Sequence, residues 1–239
     1  MADFVEKYGE KYKDIKEASK KLPIPMKELL SFTTIIVKSF YQQYNYGKKH
    51  QDLMQYCRPS IEKYLFSRFY DLIFSIYLYN SKENDKLLVE KTSQFKKIKS
   101  RALMKQLEFK EKYIIIREEE EEKGKVAYNN SINLMNKVEK TPYPHEKLGF
   151  IMQMYAEMKT DVIDFSKGRF ELESMDDQMP VFIYIMIMAK FNSPLAEMNM
   201  LLDYLRFEDR DYDTEQLLVT NLQASLMYIL KEFNPKQIS

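Results

Sequence analysis

The stretch MPVFIYIMIMA, which runs from Met179 to Ala189, is the longest apolar run in the chain. It is far shorter than the roughly 20 apolar residues that span a bilayer, so it belongs in a protein core. Residues 180–189 are apolar on every side, which fits either a buried strand or a buried helix. No second stretch offers a partner strand, and the run therefore predicts a central buried helix.

Amphipathic stripes with helical spacing lie on both sides of this run, and residues 195–207 also have a helical pattern. With only 5 glycines and 8 prolines in the chain, an all-β protein would lack turn residues. The sequence therefore predicts an all-α fold. The stripes are Leu29, Phe32, Ile36 and Phe40; Ile61, Leu65, Phe69, Leu72, Ile73 and Ile76; Leu88, Thr92, Phe95 and Ile98; Ile132, Met135 and Val138; Leu148, Ile151, Met154, Tyr155 and Met158; and Val219, Leu222, Leu226, Ile229 and Phe233.

Breaks between these stripes predict where the helices begin and end. Residues 1–22 are rich in lysine and favour a solvated arm or a marginal helix. The polar stretches predict a connector at Gly47–Gln51, a turn at Asn80–Asp85 and a long loop at 160–175. Proline is favoured in the first turn of a helix, so a helix is expected to open at residues 58–60, Arg-Pro-Ser.

Composition excludes several classes of partner and location. The 37 basic and 36 acidic residues give a formal charge of +1, which does not favour nucleic acid as a main partner. Cys57 is the single cysteine, so no internal disulfide can form, and the N-terminus has no apolar signal segment. These features predict a cytoplasmic protein in a reducing compartment.

Residues that carry covalent chemistry are scarce. The two histidines, His50 and His145, have no cysteine or acidic neighbours at metal-ligand spacing. The sequence has no phosphate-binding glycine loop and no nucleophile motif, so neither a cofactor nor a metal is expected. The acidic run Glu118–Glu122 is interpreted as a solvated helix end or a surface loop. A helical interaction protein is the predicted class.

Two short motifs allow both a structural and a functional interpretation. Asp176 and Asp177 precede Pro180 and the apolar run, where carboxylates either cap a helix or point an acidic group at a partner. Residues 220–223, Thr-Asn-Leu-Gln, match the pattern of a capping box, for which capping is the plain interpretation.

Four segments, in order, resemble the Vps-nine-type domain (vacuolar protein sorting nine) and the helical bundle that precedes it. They are PSIEKYLFSRFY at 59–70 followed by Phe74, PHEKL at 144–148, SMDDQMPVFIY at 174–184 and TNL at 220–222. The resemblance covers residues 27–235. It implies an N-terminal arm at 1–21, a helical bundle at 22–95 packed on a layered multi-helix exchange domain at 96–235, and membership of the Rab guanine nucleotide exchange factors.

The resemblance also implies roles for individual residues. Asp176 matches the family's catalytic acidic finger. The GTPase-binding residues would be Asp177; Pro180, Ile183 and Tyr184, which line or shape an apolar groove; Thr220 and Asn221 at its rim; and Leu217, at a position that supports the finger and contacts the GTPase. Leu217 stands where the family has a tyrosine, and Met175 replaces the usual small residue before the finger.

The implied function is nucleotide exchange on a Rab GTPase of the early-endosomal, Rab-five-like group. The protein would be cytoplasmic and recruited to early endosomal membranes through partners. One alternative is a degenerate domain of this type that binds a Rab as an effector or scaffold without efficient exchange. Another, outside the family, is a helical adaptor in which both short motifs are only caps.

Overall fold

The computed structural model describes residues 2–44, 51–208 and 211–232, and within these ranges it is helical with no β-strand. A short 3₁₀ turn, Glu111–Tyr113, lies between α5 and α6. The all-α prediction is confirmed. The helices are α1 (Ala2–Tyr12), α2 (Ile15–Ser19), α3 (Ile24–Tyr44), α4 (Gln51–Phe95), α5 (Ser100–Gln106), α6 (Glu118–Glu122), α7 (Asn129–Val138), α8 (Pro144–Ser166), α9 (Met175–Met188), α10 (Pro194–Phe207) and α11 (Asp213–Lys231).

The apolar run forms the central helix α9, as the sequence predicts. Every residue from Val181 to Ile187 is buried, and α9 packs against α4, α5, α7 and α11. The helix begins at Met175, five residues before Pro180, because the side chain of Ser174 caps it by accepting the backbone N–H of Asp177. Pro180 therefore lies inside the helix, and the start at residue 180 that the apolar run predicts is five residues too late.

Helix α4 is one continuous helix from Gln51 to Phe95, which corrects two predictions. Pro59 lies within it and does not open it. Residues 80–85 are helical and form no turn. Their polar character has a tertiary cause, because the Asp85 carboxylate accepts the backbone N–H groups of Leu195 and Ala196 at 2.7 and 3.3 Å.

Asp85 therefore caps α10 from another helix, at a site where Ser193 makes no side-chain cap. Burial raises the pKa of Asp85 to about 6, although the two backbone donors oppose the shift. Six residues further along α4, the Lys91 ammonium donates to the carbonyls of Ile229 and Leu230, near the end of α11. One helix thus supports the start of α10 and the end of α11.

The N-terminal residues form the helices α1 and α2, so the helix alternative holds and the solvated arm does not. Tyr8 and Tyr12 are buried, and the ring of Phe4 stacks on Phe32 of α3 at 3.6 Å. The predicted connector at Gly47–Gln51 lies outside the described residues except for Gln51, where α4 begins.

Helix α8 continues seven residues into the predicted loop at 160–175, which shortens that loop to 167–174. It ends where Lys167 and Gly168 take left-handed backbone angles, φ 55° and 76°. The N–H of Gly168 returns to the carbonyl of Ile163 at 2.8 Å, which satisfies the end of the helix.

A fully buried ion pair joins four helices. Lys147 of α8 lies 2.8 Å from a carboxylate oxygen of Glu197 on α10, and neither side chain has measurable exposure. The Lys147 ammonium also donates to the carbonyl of Val138 at 2.7 Å and lies 3.2 Å from the Tyr70 hydroxyl of α4. Burial lowers the pKa of Lys147 and raises that of Glu197, and each is partly offset by the charge of its partner.

A second buried network ties α4 to α10 near the other end. Arg58 pairs with Glu62 at 2.9 Å and with the fully buried Glu208 at 2.6 Å. The Tyr204 hydroxyl donates to Glu62 at 2.9 Å. Both networks bind the bundle helix α4 to the helices that follow it.

We predict that Lys147→Met lowers the free energy of unfolding by about 3–5 kcal/mol, because it leaves the Glu197 carboxylate buried and unpaired. The double variant Lys147→Met/Glu197→Leu removes both charges and should recover part of that loss. Urea unfolding of both variants measures this. A double variant no more stable than the single one would show that the pair is not the source of the loss.

We also predict that a fragment beginning at residue 96 does not fold cooperatively. Without α4 it lacks Tyr70 at the buried pair, Glu62 at Tyr204 and the Asp85 cap on α10. Circular dichroism during heating should show a broad transition, whereas the full chain gives a sharp one. A soluble fragment with a sharp transition would contradict the prediction.

Candidate functional site

The turn that leads into α9 is fixed by its own side chains. Gln178 is 3% exposed, and its amide nitrogen donates to the carbonyls of Leu172 at 3.2 Å and Glu173 at 3.0 Å. Tyr155 of α8 donates to the amide oxygen of Gln178 at 3.4 Å. With Ser174 as the cap, this segment is held from both sides, and neither aspartate side chain is needed to cap the helix.

Asp177 points into the protein and is bound there. Its carboxylate lies 2.6 Å from the Lys110 ammonium, and the Tyr113 hydroxyl is 3.2 Å from its other oxygen. Burial alone would raise the pKa of Asp177, but hydrogen bonds from Lys110, Ser174 and Tyr113 outweigh burial and lower it. Asp177 is therefore an ionised group with protein partners.

Asp176 has the opposite environment. Its side chain is exposed, and among the described residues it makes no hydrogen bond and no ion pair. It lies in the first turn of α9, where the positive end of the helix dipole favours a carboxylate. The structure thus presents one unpartnered acidic group at the start of its most deeply buried helix.

The predicted residues of α11 lie beside this group. Leu217, Thr220 and Asn221 are three and four positions apart, which places them on one face of the helix. Leu217 is 53% exposed, and the amide nitrogen of Asn221 is 3.5 Å from the sulfur of Met175. This contact brings the TNL segment of α11 to the start of α9.

Thr220 does not form a capping box, so that interpretation is wrong. It lies in the middle of α11, and its hydroxyl donates to the carbonyl of Gln216, one turn earlier, at 2.7 Å. In a helix interior the first-turn N–H groups that a capping box would satisfy are absent. The pattern looked like a helix start because the true start, at Asp213, carries no cap from the side chain of Tyr212.

The predicted residues of α9 differ in exposure. Pro180 is half-buried and Ile183 is 8% exposed, and both follow Asp176 on the same face of the helix. Tyr184 has no exposed surface, and its hydroxyl donates to Ser100 of α5 at 2.9 Å. Tyr184 was expected to line or to shape the groove. Because its side chain is buried, it cannot line the groove and can only shape it from beneath.

Sequence reasoning missed three residues around Asp176. Met175 is 39% exposed and touches Asn221, yet it was noted only as a departure from the family pattern. Lys110 and Tyr113 lie among residues 101–125, which have no clear periodicity, and their link to Asp177 crosses more than 60 positions. Nothing in a single sequence signals that pairing.

Other candidate chemistry can be placed as well. The acidic run forms the short surface helix α6, with no buried residue. Among the described residues no group of three His, Cys, Asp or Glu side chains is placed to hold a metal ion. None of the described helices combines the length and the apolar character needed to cross a membrane.

The site thus combines an exposed carboxylate in the first turn of α9 with a partly apolar face of α11 beside it. Residues 128–234, which run from the start of α7 through α11, match the family model described as Vacuolar sorting protein 9 (VPS9) domain. Residues 128–234 therefore carry a VPS9 domain, the domain family of Rab exchange factors, and helices precede this matched region. The partner that this domain implies is a small GTPase. No curated protein matches the chain.

Proposed function

We propose that this protein is a guanine nucleotide exchange factor for a Rab GTPase of the early-endosomal, Rab-five-like group, with Asp176 as its acidic finger. The observation that carries the proposal is the contrast between the two neighbouring aspartates. Asp177 is bound by Lys110 and Tyr113, whereas Asp176 is exposed and makes no hydrogen bond or ion pair among the described residues. A carboxylate that must act on another protein needs this freedom.

The chemistry requires no covalent step. A small GTPase holds its nucleotide through the lysine of its phosphate-binding loop and through Mg²⁺. A carboxylate inserted there would pair with that lysine by a charge-assisted contact and would oppose Mg²⁺ and the phosphates. The fixed turn at residues 171–178 supports this role, because a preorganised charge loses little free energy on reorganisation.

We further propose that the switch regions of the GTPase dock on a strip beside Asp176. On α9 the strip includes Pro180 and Ile183, and on α11 it includes Leu217, Thr220 and Asn221. Its apolar centre and polar rim fit a protein interface. The proposal divides the chain into an N-terminal segment at 1–21, the bundle at 22–95 and the exchange domain at 96–235. It places the protein in the cytoplasm with recruitment to early endosomes through partners.

The second candidate is a domain that binds a Rab as an effector or scaffold without efficient exchange. Leu217 is the observation that favours it, since this side chain has no hydroxyl and is more than half exposed in the free protein. The two candidates differ in one measurement, the rate at which the chain accelerates GDP release from a purified Rab.

We predict that Asp176→Ala lowers the exchange rate about a hundredfold, the usual cost of losing one preorganised electrostatic group. Asp176→Asn should lower it nearly as much, because it keeps the shape and removes the charge. Stability should change by less than about 1 kcal/mol, since Ser174 caps the helix. Release of fluorescent GDP from a panel of Rab proteins measures the rate.

Asp164→Ala serves as the matched control, because Asp164 is an exposed aspartate on α8. Asp177→Ala should have a smaller effect than Asp176→Ala, since its carboxylate faces inward. Equal effects of the two changes would mean that general negative charge near the helix start is sufficient. Full exchange by Asp176→Ala would remove the finger assignment.

We predict that Leu217→Tyr raises exchange on a Rab-five-like GTPase about tenfold. Leucine keeps an apolar contact but cannot supply the hydroxyl, whose hydrogen bond is worth about 1 kcal/mol or more when its partner is buried. The added ring has room, because position 217 is 53% exposed. Gln94→Tyr adds the same side chain at an exposed position of α4, outside the strip, and should leave the rate unchanged.

The opposite result would also be informative. If the wild type is already as fast as a typical family member, and Leu217→Tyr is slower, the partner surface is matched to leucine. A weakened site would then be the wrong description.

A further inference from the structure

The two side chains that bind Asp177 come from a segment outside the region that matches the family. Lys110 directly precedes the 3₁₀ turn Glu111–Tyr113, between α5 and α6, whereas the match begins at residue 128. The Lys110 ammonium is 2.6 Å from one oxygen of Asp177, and the Tyr113 hydroxyl is 3.2 Å from the other. Both carboxylate oxygens of Asp177 are therefore occupied.

Tyr113 is itself firmly anchored. Its side chain is 2% exposed, and its hydroxyl also lies 3.0 Å from the carbonyl of Glu171, in the turn before α9. Its own carbonyl accepts the hydroxyl of Tyr128, a fully buried residue at the start of α7. The Tyr113 ring thus connects the core to the turn at two points, the carbonyl of Glu171 and the carboxylate of Asp177.

This arrangement reduces the repulsion between the carboxylates of Asp176 and Asp177 at the start of α9. Two adjacent carboxylates in one helical turn repel each other, and both would favour solvent. The Lys110 ammonium neutralises Asp177, and Tyr113 holds it against the protein. Asp176 remains as the charge directed outward, and the backbone that carries it is fixed on both sides.

We propose that Lys110 and Tyr113 are positioning residues for Asp176. They hold Asp177, and through it they fix the first turn of α9 in the orientation that presents the finger to the GTPase. The inference rests on the proposed function, and it assigns part of the exchange activity to a segment that precedes the matched domain.

The decisive experiment measures steady-state exchange for Lys110→Met, with Lys110→Arg as the conservative variant and Lys105→Met as the matched control. Lys105 carries the same charge at an exposed position in the last turn of α5, and among the described residues it makes no ion pair. Lys110→Met should lower kcat about threefold to fivefold with KM nearly unchanged, the size expected for losing a partly exposed ion pair. Lys110→Arg should keep most of the rate, and Lys105→Met should keep all of it.

A second arm separates positioning from a general effect of charge or stability. Combined with Asp176→Ala, Lys110→Met should cause no further loss, because a positioning residue has no effect once the group it positions is removed. Additive losses would overturn the proposal. So would an equal effect of Lys105→Met, which would indicate long-range steering of the GTPase by charge.

A third arm does not depend on exchange. Tyr113→Phe and Lys110→Met should each speed amide hydrogen exchange in residues 174–179, while Lys105→Met should not. Unchanged protection there would overturn the proposal. If the wild type releases no GDP from any Rab, the proposed function fails and the positioning role fails with it. If the wild type is active and Lys110→Met equals it, only the positioning role fails.

Discussion

The buried pair of Lys147 and Glu197 is the interaction on which the rest of the structure depends. Two charges without solvent contact are tolerated only when each has partners, and here Tyr70 and the carbonyl of Val138 complete the set. These groups come from four helices, α4, α7, α8 and α10. Each must keep its place for the pair to remain satisfied, so the pair selects one arrangement of helices among the many that would bury similar apolar area.

That constraint reaches the site through packing. From Val181 to Ile187, helix α9 is apolar on all sides, and few of its side chains can form hydrogen bonds. Its position is therefore determined by the helices that pack against it. The helices that hold the pair include α4 and α7, which also pack on α9. The polar contacts of Gln178, Ser174 and Tyr113 then fix its first turn. Three sets of contacts therefore fix the backbone at Asp176: the buried ion pair, the apolar packing around α9 and the hydrogen bonds of its first turn.

Much of the fold could be predicted from the sequence, and the failures have definite physical causes. The stripes on α8 and α11 depend on local periodicity, and the buried helix on one continuous apolar run, and a sequence displays both directly. The start of α9 was misplaced because proline favours a first turn, while Ser174 provides a stronger cap. The turn predicted at residues 80–85 was wrong because Asp85 serves a helix more than a hundred positions away. The same holds for the candidate site. Its motif residues could be predicted from the sequence, but the partners of Asp177 and the burial of Tyr184 depend on tertiary contacts and could not.

The placement of Asp85 and Lys91 on α4 has a consequence for how such a chain can vary. Asp85 binds the beginning of α10 and Lys91 binds the end of α11. The number of residues between them is therefore fixed by the distance between these two helix ends. Inserting or deleting one residue there would rotate one support by about 100° and shift it by about 1.5 Å relative to the other. Exposed residues in this stretch can be substituted, but residues cannot be inserted or deleted without loss of one of the two contacts. Related proteins with the same two contacts should therefore differ here by substitution alone, and natural gaps in their sequences should fall in loops such as residues 167–174.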